Sequence, residues 1–423
     1  MNDDALVSLR RDLHRKPEPA WCEFYTTARI VEELDRLDLD DVFVGREAIA
    51  GEHRMGVPDD ATLAEWYERA RSYGVDGAVL EKLEGGYTGA VAVIERGDGP
   101  TVGLRVDIDA LPREESTAED HVPAVEGFRS EHDGSMHACG HDAHATIGIG
   151  VLDAIAESDF QGTLKVFFQP AEELVGGGKS MARSDHTRDV DYLLAIHIGL
   201  DHPTGEVVAG VDGFLAVSHL EATFHGTPAH AGGRPEEGDN AIQALATAVQ
   251  NLYAIPRHSE GATRVNAGVV EGGTAANILA EEAAVVAEVR GETTELMEYM
   301  AEKARTVFET AAEMHGCTVE IETGAEAPSA ESDEGLASIV AAVAEDVPGT
   351  ERVLERDQLG GSEDATYLMQ EVQEAGGLAC YVGIGTDHPG GHHTSTFDVD
   401  EASLRHGIDV LAGAIERIGS ERP

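Results

Sequence analysis

Apolar residues recur at helical spacing near the start of the chain, at Leu6, Leu9 and Leu13 and again at Ala28, Val31 and Leu34, with Pro17 and Pro19 between the two sets. The pattern predicts two helices between Asp3 and Leu37, joined by a turn. A more polar helical stretch follows at Ala61–Tyr73. The period then changes. Tyr87–Glu95 and Thr101–Val106 are runs of β-branched and small residues around the turn Gly97-Asp98-Gly99-Pro100, and Thr163–Gln169 and Tyr192–Ile196 are runs of the same kind. These read as strands, with a small-residue helix at about Ala143–Glu157 between the second and third. Such alternation predicts an α/β fold whose sheet is mixed and mostly parallel.

From Gly213 the order of elements changes. His219–His225 reads as a strand, Asn240–Tyr253 as a helix, Thr263–Val270 and Ala283–Arg290 as strands, Thr294–His315 as a helix and Thr318–Glu322 as a strand. The order β-α-β-β-α-β is that of a ferredoxin-like split motif. An Ala/Glu-rich linker around Thr323–Ser332 leads back to alternating helix and strand. The expected domains are therefore 1–212 with 327–423, interrupted by an insert at 213–326.

Charge narrows the function classes. The 423 residues carry 80 Asp+Glu against 30 Lys+Arg, a formal net charge of −50. No Lys/Arg cluster offers a groove to nucleic acid or a patch to an anionic membrane, so both are excluded as partners. Hydrophobic residues make up 42% and are interleaved with the acids, so the charge coats a globular body. Only Lys16, Lys82, Lys165, Lys179 and Lys303 are lysines. That composition suits a halophilic protein, because molar salt shrinks the Debye length to about 3 Å and screens the self-repulsion. The opening residues do not form a secretory leader and no run of about 18 apolar residues occurs, so the expected location is cytoplasmic. Four cysteines without a C-x-x-C make neither a disulfide framework nor a four-thiolate site.

Four segments concentrate residues able to bind metal: Met136–His144, Gln169–Glu173, Ala195–His197 and Gly390–His393. Each begins where a predicted strand or loop ends, and in open α/β sheets such ends converge on the ligand site. Imidazole, thiolate and carboxylate are the usual zinc ligands, and the pair Cys139-x-His141 can aim both side chains at one centre. Glu172 and Glu173, following Pro170, are expected in a loop that frees one carboxylate for metal and the other for protons. His14, His53, His186, His202, His258 and His406 are expected to be surface or packing residues. Gly176-Gly177-Gly178-Lys179-Ser180 resembles a phosphate loop, but the motif requires Gly at 173, where Glu stands. A thiol amidase with Cys139 as nucleophile is the rival chemistry, and it leaves the Glu pair and His393 unexplained.

Leu13-His14-x-x-Pro17-Glu18, Leu104–Pro112, Met136–Asp142, Phe168–Glu173, His225–Ala231 and Gly361–Asp364 together resemble the dinuclear metal amidohydrolases of the aminoacylase and hippurate-hydrolase type, over almost the whole chain. Gly45-Arg46-Glu47, Arg54–Pro58, Glu84–Gly89, Ala229–Glu236 and Gly391-His392-His393 resemble the branch of that family that hydrolyses p-aminobenzoyl-glutamate.

The resemblance implies two divalent ions, zinc or manganese, held by Cys139, His141, Glu173, His197 and His393. It implies Glu172 as general base for a metal-activated water and Asp107 as the carboxylate that orients a ligand. His393 is preferred to His392 because it precedes Phe397 by four positions. In the insert, which the resemblance makes a lid and dimerisation domain, His230 would stabilise the oxyanion with help from Asn277. Arg290, at the end of a predicted strand, is the candidate for a substrate carboxylate. The implied reaction is hydrolysis of a small N-acyl or N-aroyl amino acid, most plainly p-aminobenzoyl-glutamate or a related folate fragment. The implied assembly is a homodimer; the alternatives are pairing with a homologous second subunit, or a noncatalytic role beside one. Carboxypeptidase-like relatives carry H-x-D where this chain has Arg105-Val106-Asp107. The first ligand of that motif is therefore missing, and Cys139 or His141 must substitute.

Overall fold

A computed structural model describes residues 1–422, which divide into two compact units. One comprises Met1–Gly213, Ala330–Leu359 and the chain from 363 onward; the other comprises Phe214–Ser329 and Gly360–Ser362. The chain is α/β. No helix among the described residues is long and apolar enough to cross a membrane.

The first unit is built on an eight-stranded sheet. From edge to edge its strands are Asp41–Val44, Ala90–Arg96, Gly162–Gln169, Thr101–Asp107, Tyr192–Ile198, Leu378–Ile384, Glu206–Val208 and Arg352–Leu354. The four strands from Gly162–Gln169 to Leu378–Ile384 run parallel, and antiparallel pairings flank them on both sides. Their residues are buried almost throughout, as expected of parallel strands covered on both faces. The strand expected to start at Tyr87 starts at Ala90 instead. Gly85, Gly86 and Gly89 all have positive φ, so the segment before Ala90 turns rather than extends.

The small-residue helix runs His141–Ala156, two residues earlier than expected, so His141 is its first residue. Its small side chains admit close neighbours. A Cβ on Gly150 would lie 2.2 Å from Ile408 of the helix Ala402–Glu421, and one on Gly148 would lie 3.1 Å from Phe168 and Val106 of the sheet. Two helices, Asp3–Arg15 and Phe24–Leu34, fill the N-terminal region as the spacing predicts. The second is started by Glu18, whose carboxylate accepts the Tyr25 and Thr26 N–H groups at 2.8 Å each.

In the second unit the strands lie in the order Thr318–Ala327, Ala216–His225, Glu282–Gly291, Thr263–Gly272, all antiparallel. The helices Ala241–Leu252 and Thr294–Met314 follow the first and third of these strands in chain order. Leu220, Phe224, Val285, Val289, Met300 and Phe308 form its core. The residues expected to open a linker at Thr323 stay in the last strand. That strand continues to Ala327 because the pairing with Ala216–His225 resumes at Glu326 after an irregularity.

Candidate metal centre

The four metal-binding segments of the sequence converge at the carboxyl ends of the parallel strands. Asp107 ends one strand, Glu172 and Glu173 follow Gln169, His197 is the penultimate residue of Tyr192–Ile198, and His392 and His393 follow Ile384. Cys139 enters from the turn before the helix His141–Ala156. Gly140 makes that turn with φ +87°, and a Cβ there would lie 2.5 Å from Ile198. His393, also in the left-handed region, donates its N–H to the Ala138 carbonyl at 2.8 Å, which pins its loop beside Cys139.

The side chains face one another at the spacing of ligands that share an ion. Cys139 Sγ lies 3.3 Å from His197 Nε2 and 3.5 Å from His393 Nε2, and Glu173 Oε2 lies 3.6 Å from His393 Nε2. His141 Nε2 lies 3.9 Å from Glu173 Oε1, and neither atom has a hydrogen-bond partner although both are buried. Donors that each sit roughly 2.0–2.3 Å from one tetrahedral ion stand roughly 3.3–4 Å apart, so these orphaned atoms fit a shared cation. Glu172 Oε2 is 3.9 Å from His141 Nε2, and Glu172 forms a further tight group with Asp107 and Glu363.

Neighbouring acceptors set the tautomers. His141 Nδ1 is held by Asp109 Oδ1 at 3.2 Å and His197 Nδ1 donates to the Ile198 carbonyl at 2.7 Å, which leaves each Nε2 as the lone-pair end. His392 spends Nε2 on the Leu200 N–H, with Nδ1 3.7 Å from Cys139 Sγ. Asp107 orients His144 through Nδ1 and lies 3.6 Å from His141 Nε2. The carboxylate that fixes the His141 ring is therefore Asp109, to which the sequence alone gives no role; its signal is the alternation Asp107-x-Asp109 on one face of the chain.

Electrostatics follow from burial and crowding. Burial pushes the Glu172 carboxyl well above its ordinary range, with Glu363 and Glu173 adding to it, and burial lifts Glu173 to about 8. Burial also raises the Cys139 thiol, reinforced by Glu173. Asp107 goes the other way: burial opposes its charge, but His141, His144 and Arg105 hold it well below the carboxylate range. His14, expected to be a surface or packing residue, is fully buried between Asp142 at 2.8 Å and Glu115 at 3.0 Å. Those two carboxylates raise it to about 9 against burial and Arg10. The group anchors Asp142, the residue after His141.

The glycine run that resembles a phosphate loop cradles a carboxylate of the chain itself. The Gly177 and Gly178 N–H groups donate to Asp364 Oδ2 at 3.0 and 2.6 Å. A Cβ on Gly178 would lie 2.1 Å from the Asp364 carbonyl oxygen. Gly178→Ala is therefore expected to cost about 3 kcal/mol, read as a lower urea midpoint with unchanged slope. Ala171 and Val175, also in this loop, have φ +56° and +53°, a conformation that residues other than glycine rarely adopt.

In the inserted unit, the segments of His230 and Asn277 lie side by side. Ala231 N–H donates to the Asn277 carbonyl at 3.0 Å, Leu279 N–H to that of Ala229 at 2.9 Å, and His230 bridges Ile278. Both His230 and Asn277 are exposed. Arg290 is engaged by Glu288 through Nε at 2.7 Å and Nη2 at 3.0 Å, with Nη1 3.5 Å from Ser362 Oγ.

Known proteins fit this picture. The chain is 43% identical over 411 residues to the indole-3-acetyl-aspartic acid hydrolase of Enterobacter agglomerans, covering 96% of this chain and 94% of that one. It is 41% identical to one subunit of the p-aminobenzoyl-glutamate hydrolase of Escherichia coli (strain K12), covering 95% and 93%. The crystal structure of an aminobenzoyl-glutamate utilization protein from Klebsiella pneumoniae superposes with a TM-score of 0.84 at 34% identity, over 99% of this chain and 97% of that one. Residues 103–417, which hold every candidate ligand, match the model of peptidase family M20/M25/M40. The chain belongs to that family and is one of its hydrolases.

Proposed function

We propose that this hydrolase cleaves the amide bond between an aromatic acyl group and an acidic amino acid, with p-aminobenzoyl-glutamate as the first substrate to test. The observation that carries the reading is the convergence of Cys139, His141, Glu173, His197 and His393 around orphaned donor atoms, with Glu172 beside them. The two relatives above are named for an aromatic acyl group on aspartate and on glutamate. Two divalent ions held by the five ligands would polarise the amide carbonyl and acidify water. Glu172 Oε2 then takes the proton of the attacking water and returns it to the leaving amine. Asp107 and Asp109 keep His144 and His141 in place while this occurs.

We assign the insert, at about 213–326, the role of lid and dimerisation domain. His230 and Asn277 would serve the oxyanion, and Arg290 would serve the substrate α-carboxylate after exchanging Glu288 for it. The edge strand Thr263–Gly272 supports a homodimer, because Val269 and Val270 are 50% and 57% exposed on it. A homologous second subunit is the alternative, given that one relative is named as a subunit of its hydrolase.

The test is glutamate release from p-aminobenzoyl-glutamate by the purified chain in molar KCl with manganese or zinc added. Chelation is expected to lower turnover at least about a hundredfold, and either metal to restore it. Turnover that survives exhaustive chelation would refute the metal mechanism and favour Cys139 as nucleophile.

A further inference from the structure

Two arginines that stack on Tyr87 carry charge that no carboxylate compensates. The Arg46 guanidinium lies 3.3 Å from the centroid of the Tyr87 ring and the Arg54 guanidinium 3.6 Å from it. At those distances both cannot occupy one face, so the phenol is sandwiched between two cations. Arg54 also lies over Trp21, at 5.4 Å. Its Nη1 donates to the Gly85 and Gly86 carbonyls at 2.8 and 3.0 Å, which fix its direction without neutralising it. Arg46 is exposed. Its sequence neighbour Glu47 is held by Lys82 at 3.0 Å, and among the described residues no carboxylate pairs with Arg46 or Arg54. In a chain with 80 Asp+Glu and 30 Lys+Arg, two adjacent unpaired guanidiniums run against the composition. Like charges held together in this way repel, and burial with Arg46 nearby lowers the Arg54 pKa.

The stack is tied on both sides to the loop that carries Glu172 and Glu173. On the Arg54 side, Met55 N–H donates to the Gly176 carbonyl at 3.2 Å and the Met55 carbonyl accepts the Trp21 indole at 2.7 Å. Gly176 permits this approach, because a Cβ there would lie 2.5 Å from the Met55 oxygen. On the Tyr87 side, one carboxylate joins the two segments. Glu23 accepts the Thr88 hydroxyl at 2.6 Å and the Ala171 N–H at 2.8 Å. Gly89 completes the contact, with Pro170 2.8 Å from where its Cβ would stand. The residues that place Glu172 thus also place the two cations.

We infer that the Arg46–Tyr87–Arg54 stack binds the side-chain carboxylate of the substrate's acidic amino acid and so selects glutamate or aspartate conjugates over neutral ones. The inference rests on the proposed amide hydrolysis and adds the residues that choose the leaving amino acid. A planar guanidinium pre-set on a ring loses little freedom when it pairs with a carboxylate, and the second, on the other face of the ring, adds a longer-range attraction.

The test compares p-aminobenzoyl-glutamate with p-aminobenzoyl-glutamine in molar KCl, where long-range fields are screened and contact pairs remain. Arg46→Gln removes an exposed group without internal hydrogen bonds, so the fold is not at stake. It is expected to raise KM for the glutamate conjugate roughly tenfold to hundredfold with little change in kcat, lowering the glutamate-to-glutamine ratio of kcat/KM by the same factor. Arg54→Lys, which keeps charge but loses the planar stack, should fall between. Arg71→Gln, an exposed arginine on the helix Asp60–Ser72, should leave the ratio unchanged. A ratio unaltered in Arg46→Gln, or lowered equally in Arg71→Gln, overturns the inference. If the wild type cleaves neither conjugate, the proposed reaction fails, and calorimetric titration with glutarate against butyrate still decides the stack. Preference for glutarate that disappears in Arg46→Gln supports the site, and equal binding by both proteins overturns it.

Discussion

Glu172→Gln is expected to reduce kcat at least about a thousandfold while leaving metal content and KM close to those of the wild type. Glu173→Gln is expected to lose metal instead. The two adjacent carboxylates differ in what they face. Both Glu173 oxygens point at imidazoles, Oε1 at His141 and Oε2 at His393, and the chain turns through Ala171 at φ +56° to set them there. Glu172 shares only His141, and its other close neighbours are the carboxylates Glu173, Asp107 and Glu363. A carboxylate among carboxylates is a poor sixth ligand and a good proton acceptor, since like charges raise its affinity for a proton. Metal analysis of the two purified variants, alongside kcat at saturating metal, separates the roles. Equal metal loss in both, or full turnover in Glu172→Gln, would remove Glu172 as the base.

Much of this arrangement was legible in the sequence, for reasons particular residues show. The parallel strands read clearly because their burial on both faces makes them continuous apolar runs, and the Cys/His/Glu segments stood at their carboxyl ends. Less legible were residues whose roles depend on who comes to meet them. His14 looked like one of 19 histidines, and only the fold brings Glu115 and Asp142 to its two nitrogens, the second 128 positions away. Asp109 lay within a recognisable motif, yet its contacts to His141 Nδ1 and the Glu173 N–H are long-range. Strand limits failed where pairing overrides composition, as at Thr323–Ala327, or where positive-φ glycines stop extension, as before Ala90. Arg46, Arg54 and Tyr87 each stood in a recognisable motif, but their contact was hidden for the same reason. They are 8 and 33 positions apart along the chain, in stretches with no period.

Arg105→Met is expected to destabilise the first unit by about 3–5 kcal/mol, although Arg105 holds none of the candidate ligands directly. Its guanidinium is wholly buried and serves four partners at once: Gln169 Oε1 at 2.8 Å, Asp107 Oδ2 at 2.7 Å, Glu363 Oε1 at 3.0 Å and Asp364 Oδ1 at 3.1 Å. It is the cation that lets three carboxylates lie together behind the site. Removing it leaves Glu363 and Asp364 buried without their counter-charge and Asp107 with His141 and His144 alone, which costs far more than the pair itself contributes. The loss should depend on pH. Burial lifts Asp364 to about 7 even with Arg105 present, above its unfolded value of 3.8, so the folded state binds the extra proton between those limits and stability falls as pH rises through them. Without Arg105 the folded value rises further, so the deficit should be largest above pH 7 and shrink toward pH 5. Both tryptophans, Trp21 and Trp66, lie in the first unit, so urea unfolding followed by tryptophan fluorescence in molar KCl reads this unit. Arg105→Lys should recover part of the loss, since an ammonium restores charge but cannot reach four partners in a plane. A deficit under about 1 kcal/mol, or one independent of pH, would show that the carboxylates are neutralised by something other than Arg105.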